Sequence, residues 1–163
     1  MNDQQVEKDQ LLELIAGKYK EILKREGDHY KLGEYYRQQA RWYGDLQTTL
    51  SFVVAVSSGA AVIALPAWIP FLSSLGLSAL NEYLRVNNFG ALSTLHSHVG
   101  LLYSGILDFL DEQKLLNLEG DHHVYVEQGE AKKILDFEDY RVYLVGEIDK
   151  RIKDAEIVDY PSH

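Results

Sequence analysis

The chain has 163 residues, enough for one ordinary domain and too few for two comfortable ones. Its net charge of -9 opposes the phosphate backbone, so no nucleic-acid partner is expected. With no cysteine, a disulfide framework, thiol catalysis and cysteine-ligated zinc are excluded.

Residues 1–45 hold eight Lys/Arg and nine Asp/Glu and reach no apolar core before Leu46, so neither a signal peptide nor a transit peptide is expected. Leu12, Ile15, Tyr19 and Ile22 recur by three and four, the period of an amphipathic helix. Gly27 and Asp28 interrupt that period. A second helix is predicted from about His29 straight into the segment that follows, with Tyr36, Ala40 and Tyr43 on one side and Arg37 and Arg41 beside them.

Leu46 to Asn81 is a run of 36 residues without a charge, between Asp45 and Glu82. As one helix it would be about 54 Å long, well beyond a bilayer core of about 30 Å. Pro66 and Pro70 divide it nearly in half, and proline inside a helix removes a hydrogen bond and clashes with the turn before it. The prediction is an all-α chain with a two-span transmembrane hairpin over 46–84, turning near 65–70 and continuous with helices on both sides. The second arm is the weaker one, because its apolar character thins at Asn81, Glu82 and Arg85.

Aromatic residues mark the ends of both arms: Trp42 and Tyr43 before the first, Trp68 at the tip, Tyr83 closing the second. Such amphipathic rings favour the headgroup level. Arg37 and Arg41 precede the first arm, Arg85 follows the second, and the tip is uncharged, which puts both termini on the cytoplasmic side. Ser51, Ala55 and Gly59 repeat every fourth residue in the first arm, as Ser74 and Ser78 do in the second. Such stripes let helices approach closely, either the two arms of one hairpin or spans of different subunits. The competing reading is a buried hairpin of a bundle in water, which would need cover on every face from a short chain.

Residues 85–116 read as a helical extension of the second span. Leu92, Val99 and Ile106 form one heptad row there, and Leu95, Leu102 and Phe109 another, a coiled-coil-like seam expected to pack on the N-terminal helix. Residues 117–129, with Gly120, Asp121 and Gly129, read as a loop, and 130–163 as a last helix ending before Pro161. Within it, Tyr140 to Val145 is also rich in strand formers, as are residues 122–127, and period alone does not assign them.

The search for chemistry finds little. His96 and His98 are two apart and face different sides of a helix, and His122 and His123 have no matching ligand pattern, so no metal is expected. Asp136, Glu138 and Asp139 read as a solvated helix face. Glu82 and Arg85 read as an ion pair reaching for the interface rather than lining a polar path. No phosphate-binding glycine loop or nucleophile motif is present, so neither a cofactor nor an enzymatic activity is expected.

The stretches YYRQQARWYGDLQTTLSFVVAVSSGAAVIAL and TLHSHVGLLYSGILDFLDEQK resemble the SLATT family, a two-span domain of prokaryotic nucleotide-signalling conflict systems. The resemblance covers roughly residues 30–115. It rests on Tyr36, Arg37, Arg41 and Tyr43 on the way into the first span, and on His96 and Tyr103 after the second; the family's basic residues beside His96 are few here. It implies a prokaryotic inner-membrane effector in antiviral defence. Such a protein homo-oligomerises in the lipid bilayer to form a pore, triggered by a nucleotide second messenger or a sensor protein. The alternatives are a membrane-anchored scaffold that recruits a cytoplasmic partner through its acidic C-terminal region, and a phage holin-like protein.

Overall fold

The computed structural model describes residues 3–59, 66, 68–119, 124–128, 131–135 and 137–159. Four helices carry the architecture: α1 (Asp3–Gly59), α2 (Trp68–Asn87), α3 (Phe89–Glu119) and α4 (Phe137–Asp159). Between α3 and α4 lies an antiparallel ribbon of β1 (Val124–Gln128) and β2 (Ala131–Leu135). The chain divides into a unit of residues 1–30 and 96–163 and a unit of residues 31–95.

The first unit has a conventional core. Along α1, Leu11, Ile15 and Ile22 are buried, and along α3 the buried positions Val99, Tyr103, Ile106, Leu110 and Gln113 step by four and three. On α4, Tyr140, Leu144, Ile148 and Ala155 complete it. Each fully buried aliphatic side chain contributes roughly 1.5–3 kcal/mol relative to exposure. Glu138 and Asp139 occupy the first turn of α4, where they complement the helix dipole. Polar links tie the helices at the edges of this core: Lys18 lies 3.7 Å from Asp149, Arg25 2.7 Å from Glu156, and the Arg151 guanidinium rides 4.2 Å above the Phe109 ring. The Tyr140 hydroxyl donates to Gln113 Oε1 at 2.6 Å inside the core, so neither polar group is left unsatisfied there.

The second unit is built differently. It comprises α1 from residue 31, α2, Asn88 and the start of α3, and among its described residues the buried positions are Gly33, Leu80 and Ser93. Ser93 donates to the carbonyl of Gly33 at 2.9 Å, a close approach suited to a residue without a side chain. Asn88 has φ 36°, the left-handed conformation that ends a helix. Its amide donates to Leu84 O at 3.0 Å, its carbonyl accepts from Leu92 at 3.1 Å and its Oδ1 accepts from Ala91 at 3.3 Å. One residue thus caps the end of α2 and the start of α3.

Several expectations are corrected. No break falls at Gly27 and Asp28; α1 runs through them, because a glycine costs only about 1 kcal/mol relative to alanine in a helix. On the far side of the hairpin, continuity fails, since Asn88 separates α2 from α3. The loop expected over 117–129 and the helix expected from 130 give way to α3 continuing to Glu119, the ribbon, and α4 from Phe137. Val124, Tyr125 and Val126 are strand formers. Tyr140 to Val145, of ambiguous propensity, is helical. Of the expected second seam row, Phe109 is buried while Leu95 and Leu102 are half-buried; Tyr103 and Leu110 are buried as well, because α3 packs against both α1 and α4. Among the described residues, no helix is long and apolar enough to cross a membrane. Residues 60–65 and 67, the end of the expected first arm and part of the expected tip at 65–70, lie outside the described residues.

Candidate functional site

The most organised side-chain cluster of the second unit sits where the uncharged run begins and ends. The Tyr43 ring stacks on Phe89 at 5.3 Å with 4° between planes, and Tyr83 lies 5.2 Å from Tyr43 and 5.9 Å from Phe89. Tyr36 stacks on the same Phe89 at 6.3 Å. The Tyr43 hydroxyl donates to that of Tyr83 at 3.5 Å, and about one turn further along Gln47 donates to Asn81 Oδ1 at 2.8 Å. These contacts clasp α1 to α2 at the polar end of the hairpin. Helical spacing places Tyr36, Tyr43 and Gln47 on one side of α1.

Beyond the clasp the apolar side chains turn outward. Phe52, Val56, Trp68, Phe71, Leu72 and Leu75 are all exposed, Phe52 at 70% and Phe71 at 66%. The small residues behave the same way. Ser51, Ala55, Ser74 and Ser78 are exposed, and the burial of Gly59 lies outside the described residues. Hydroxyls along α1 turn back onto its own carbonyls, Thr48 onto Gly44, Thr49 onto Asp45 and Ser57 onto Val53, which reduces the polarity presented by this segment.

The remaining predicted positions fall around this frame. Trp42 is exposed and meets Tyr43 edge-to-face at 4.7 Å. Arg37 pairs with Glu34 at 2.9 Å, Arg41 is exposed, and Arg85 forms a fork with Glu82 at 2.6 and 2.9 Å. Pro66 is exposed, and its carbonyl accepts from the Ile69 amide at 3.0 Å. Pro70 does not lie in the turn proper. It occupies the first turn of α2, where a missing amide costs nothing.

His96 and Tyr103 belong to the other unit and meet there. His96 Nδ1 lies 3.1 Å from His29 Nδ1, so one ring donates and the other accepts. Tyr103 stacks on His29 at 5.5 Å. Arg25 joins them: hydrogen bonding to Tyr103, and then to Glu156, holds its guanidinium even more firmly protonated than usual. Gly100 lies where an added Cβ would come within 3.2 Å of the Tyr30 ring. A charged Asp111 beside Tyr19 pushes that phenol up. Compared with family models, curated proteins and solved structures, the chain finds no match.

His29, Arg25 and Phe89 are the positions that reading the sequence missed. His29 is 67 residues from His96, and no local spacing links them. Phe89 had a signal, an aromatic residue just after Asn87 and Asn88, the turn-prone pair that ends the second arm. Among the described residues, no group of three or more His, Asp or Glu is placed to hold a metal ion. What the second unit offers is an aromatic clasp beneath an outward-facing apolar surface.

Proposed function

We propose that the chain is a membrane-inserted effector whose two arms span the inner membrane as a hairpin and oligomerise into a permeabilising lesion. The observation that carries this reading is the outward set of Phe52, Val56, Phe71, Leu72 and Leu75 within a 36-residue run that holds no charge. A patch of that extent in water is a liability, whereas lipid tails or neighbouring spans satisfy it. The exposed small residues Ser51, Ala55, Ser74 and Ser78 support contact between subunits over contact within one hairpin. Arg37, Arg41 and Arg85 at the clasped end support a cytoplasmic position for both termini. The resemblance to SLATT domains supports a nucleotide signal or a sensor protein as the trigger, and antiviral defence as the setting.

Two measurements test the proposal in order. Carbonate-washed membranes should retain the full chain, and its appearance as a compact monomer in detergent-free buffer would end the reading. Purified in detergent and reconstituted into liposomes, it should release an encapsulated dye when a cyclic oligonucleotide trigger is added. Stable insertion with no leak under any trigger would instead favour the membrane-anchored scaffold.

A further inference from the structure

We infer that the outer edge of β1 pairs with β1 of a second copy of this chain, antiparallel and centred on Val126, to make a four-stranded sheet. In the ribbon, Val124 faces Leu135, Val126 faces Lys133 and Gln128 faces Ala131. A two-stranded ribbon is marginal by itself in water, and each of its edges carries backbone donors and acceptors turned away from the partner strand. Only two residues separate Gln128 from Ala131, so that pair closes the hairpin as a hydrogen-bonded one. Alternation along the ladder then turns the amides of Val124, Val126 and Gln128 toward β2, and those of Tyr125 and Glu127 outward.

The two edges are not equivalent. β2 carries Lys132 and Lys133 in succession, and lysine is a residue by which natural sheets blunt an edge. Self-pairing of β2 about its centre would set Lys133 against Lys133 of the copy. β1 reads Val-Tyr-Val-Glu-Gln, three strand formers followed by a single charge. Pairing about Val126 sets Tyr125 against Glu127 of the copy and Val124 against Gln128, so no like charges meet. It also makes Tyr125 and Glu127 of the copy, and the reverse, hydrogen-bonded pairs in which each outward amide donates to the carbonyl opposite, the phase an antiparallel ladder requires. Charge and hydrogen-bond phase both match this strand to itself, which is why the partner is a second copy.

The contact belongs to the assembly proposed above and rests on that reading for its purpose. It lies outside the uncharged run, so it is scored separately from leak. The native chain has no cysteine, so single cysteines report cleanly. In the inferred sheet the two Val126 residues form a non-hydrogen-bonded pair with Cα atoms about 4.5 Å apart, inside the disulfide window. Two Val124 residues, four residues along and one strand across, would be about 14 Å apart, as would two Lys133 residues three strand spacings apart. In full-length protein in detergent with a mild oxidant, Val126→Cys should form covalent dimers at least about tenfold faster than Val124→Cys or Lys133→Cys. Adding Glu127→Pro removes an outward amide while sparing those facing β2, and should abolish the Val126→Cys dimer with helix content unchanged. Equal rates at all three positions, or a dimer that survives Glu127→Pro, would overturn the inference. Leak without the disulfide would overturn it and leave the effector reading intact; the disulfide without leak would do the reverse.

Discussion

In the unit of residues 1–30 and 96–163, Ile22, Val99, Leu110, Tyr140 and Leu144 are sealed from solvent, and charged side chains pair around them. In the unit of residues 31–95, Phe52, Phe71 and Val86 stand 66–71% exposed, and among the described residues the buried positions are Gly33, Leu80 and Ser93. One sequence thus carries two solutions for its apolar surface. The first unit buries a core against itself and leaves Leu101, Leu115, Val142 and Ile157 exposed around it. The second leaves most of its large apolar side chains outward, which costs free energy in water.

The largest expected effect tests whether the first unit is cored as described. Leu110→Ala should lower stability by about 2–5 kcal/mol, through lost burial and the cavity left behind. Phe71→Ala should stay within about 0.5 kcal/mol, since Phe71 has little protein around it to lose. Urea titrations followed by circular dichroism in detergent measure both. Comparable losses would erase the distinction between the units. Conversely, a charge on the outward surface should harm insertion and not folding. Leu75→Lys, near the middle of the second arm, should cost about 2.5–3.5 kcal/mol of insertion and deplete the carbonate-resistant fraction. Val142→Lys, equally exposed on α4, should not. If the two behave alike, the apolar face of the hairpin is not meeting lipid.

A third test sharpens the description of the sealed core. Gln113→Leu removes the acceptor of the buried Tyr140 hydroxyl and should cost about 1–3 kcal/mol, the penalty of an unsatisfied polar group. Adding Tyr140→Phe should recover part of it, because the hydroxyl that lost this acceptor is then gone. A double variant as unstable as the single one would mean that packing volume, and not the hydrogen bond, sets the cost at this position.

The helical character was legible because charge and apolar spacing repeat locally, as with Ile15 and Ile22 on α1 or Val99 and Ile106 on α3. The clasp was half legible: Tyr43 and Tyr83 stood out as aromatic flanks and Tyr36 as sharing a helix side with Tyr43, but their meeting on Phe89 depends on the bend at Asn88. The pairing of His29 with His96 was not legible, because a contact across 67 residues follows from how helices pack and not from any local period. The ribbon was partly legible, since residues 122–127 stood out as strand formers and were left open, but β2 was read as helix. Its five-residue strands are too short for a period to separate strand from helix, and the charged pair Lys132 and Lys133 masks the alternation.

Asn88 offers the smallest and most local test, at the place where the second unit departs from a continuous helix. Its φ of 36° suits asparagine or glycine, and its Oδ1 caps the amide of Ala91. Asn88→Gly keeps the backbone freedom and gives up the cap, so it should cost a few tenths of a kcal/mol. Asn88→Ala loses both and should cost about 1 kcal/mol, part of it recoverable only by straightening α2 into α3. Straightening would pull Phe89 out of its stack with Tyr43, so the alanine variant should also shift tyrosine fluorescence, whereas the glycine variant should not. An alanine variant of unchanged stability and spectrum would show that the clasp, and not the residue at the bend, holds the angle between the two helices.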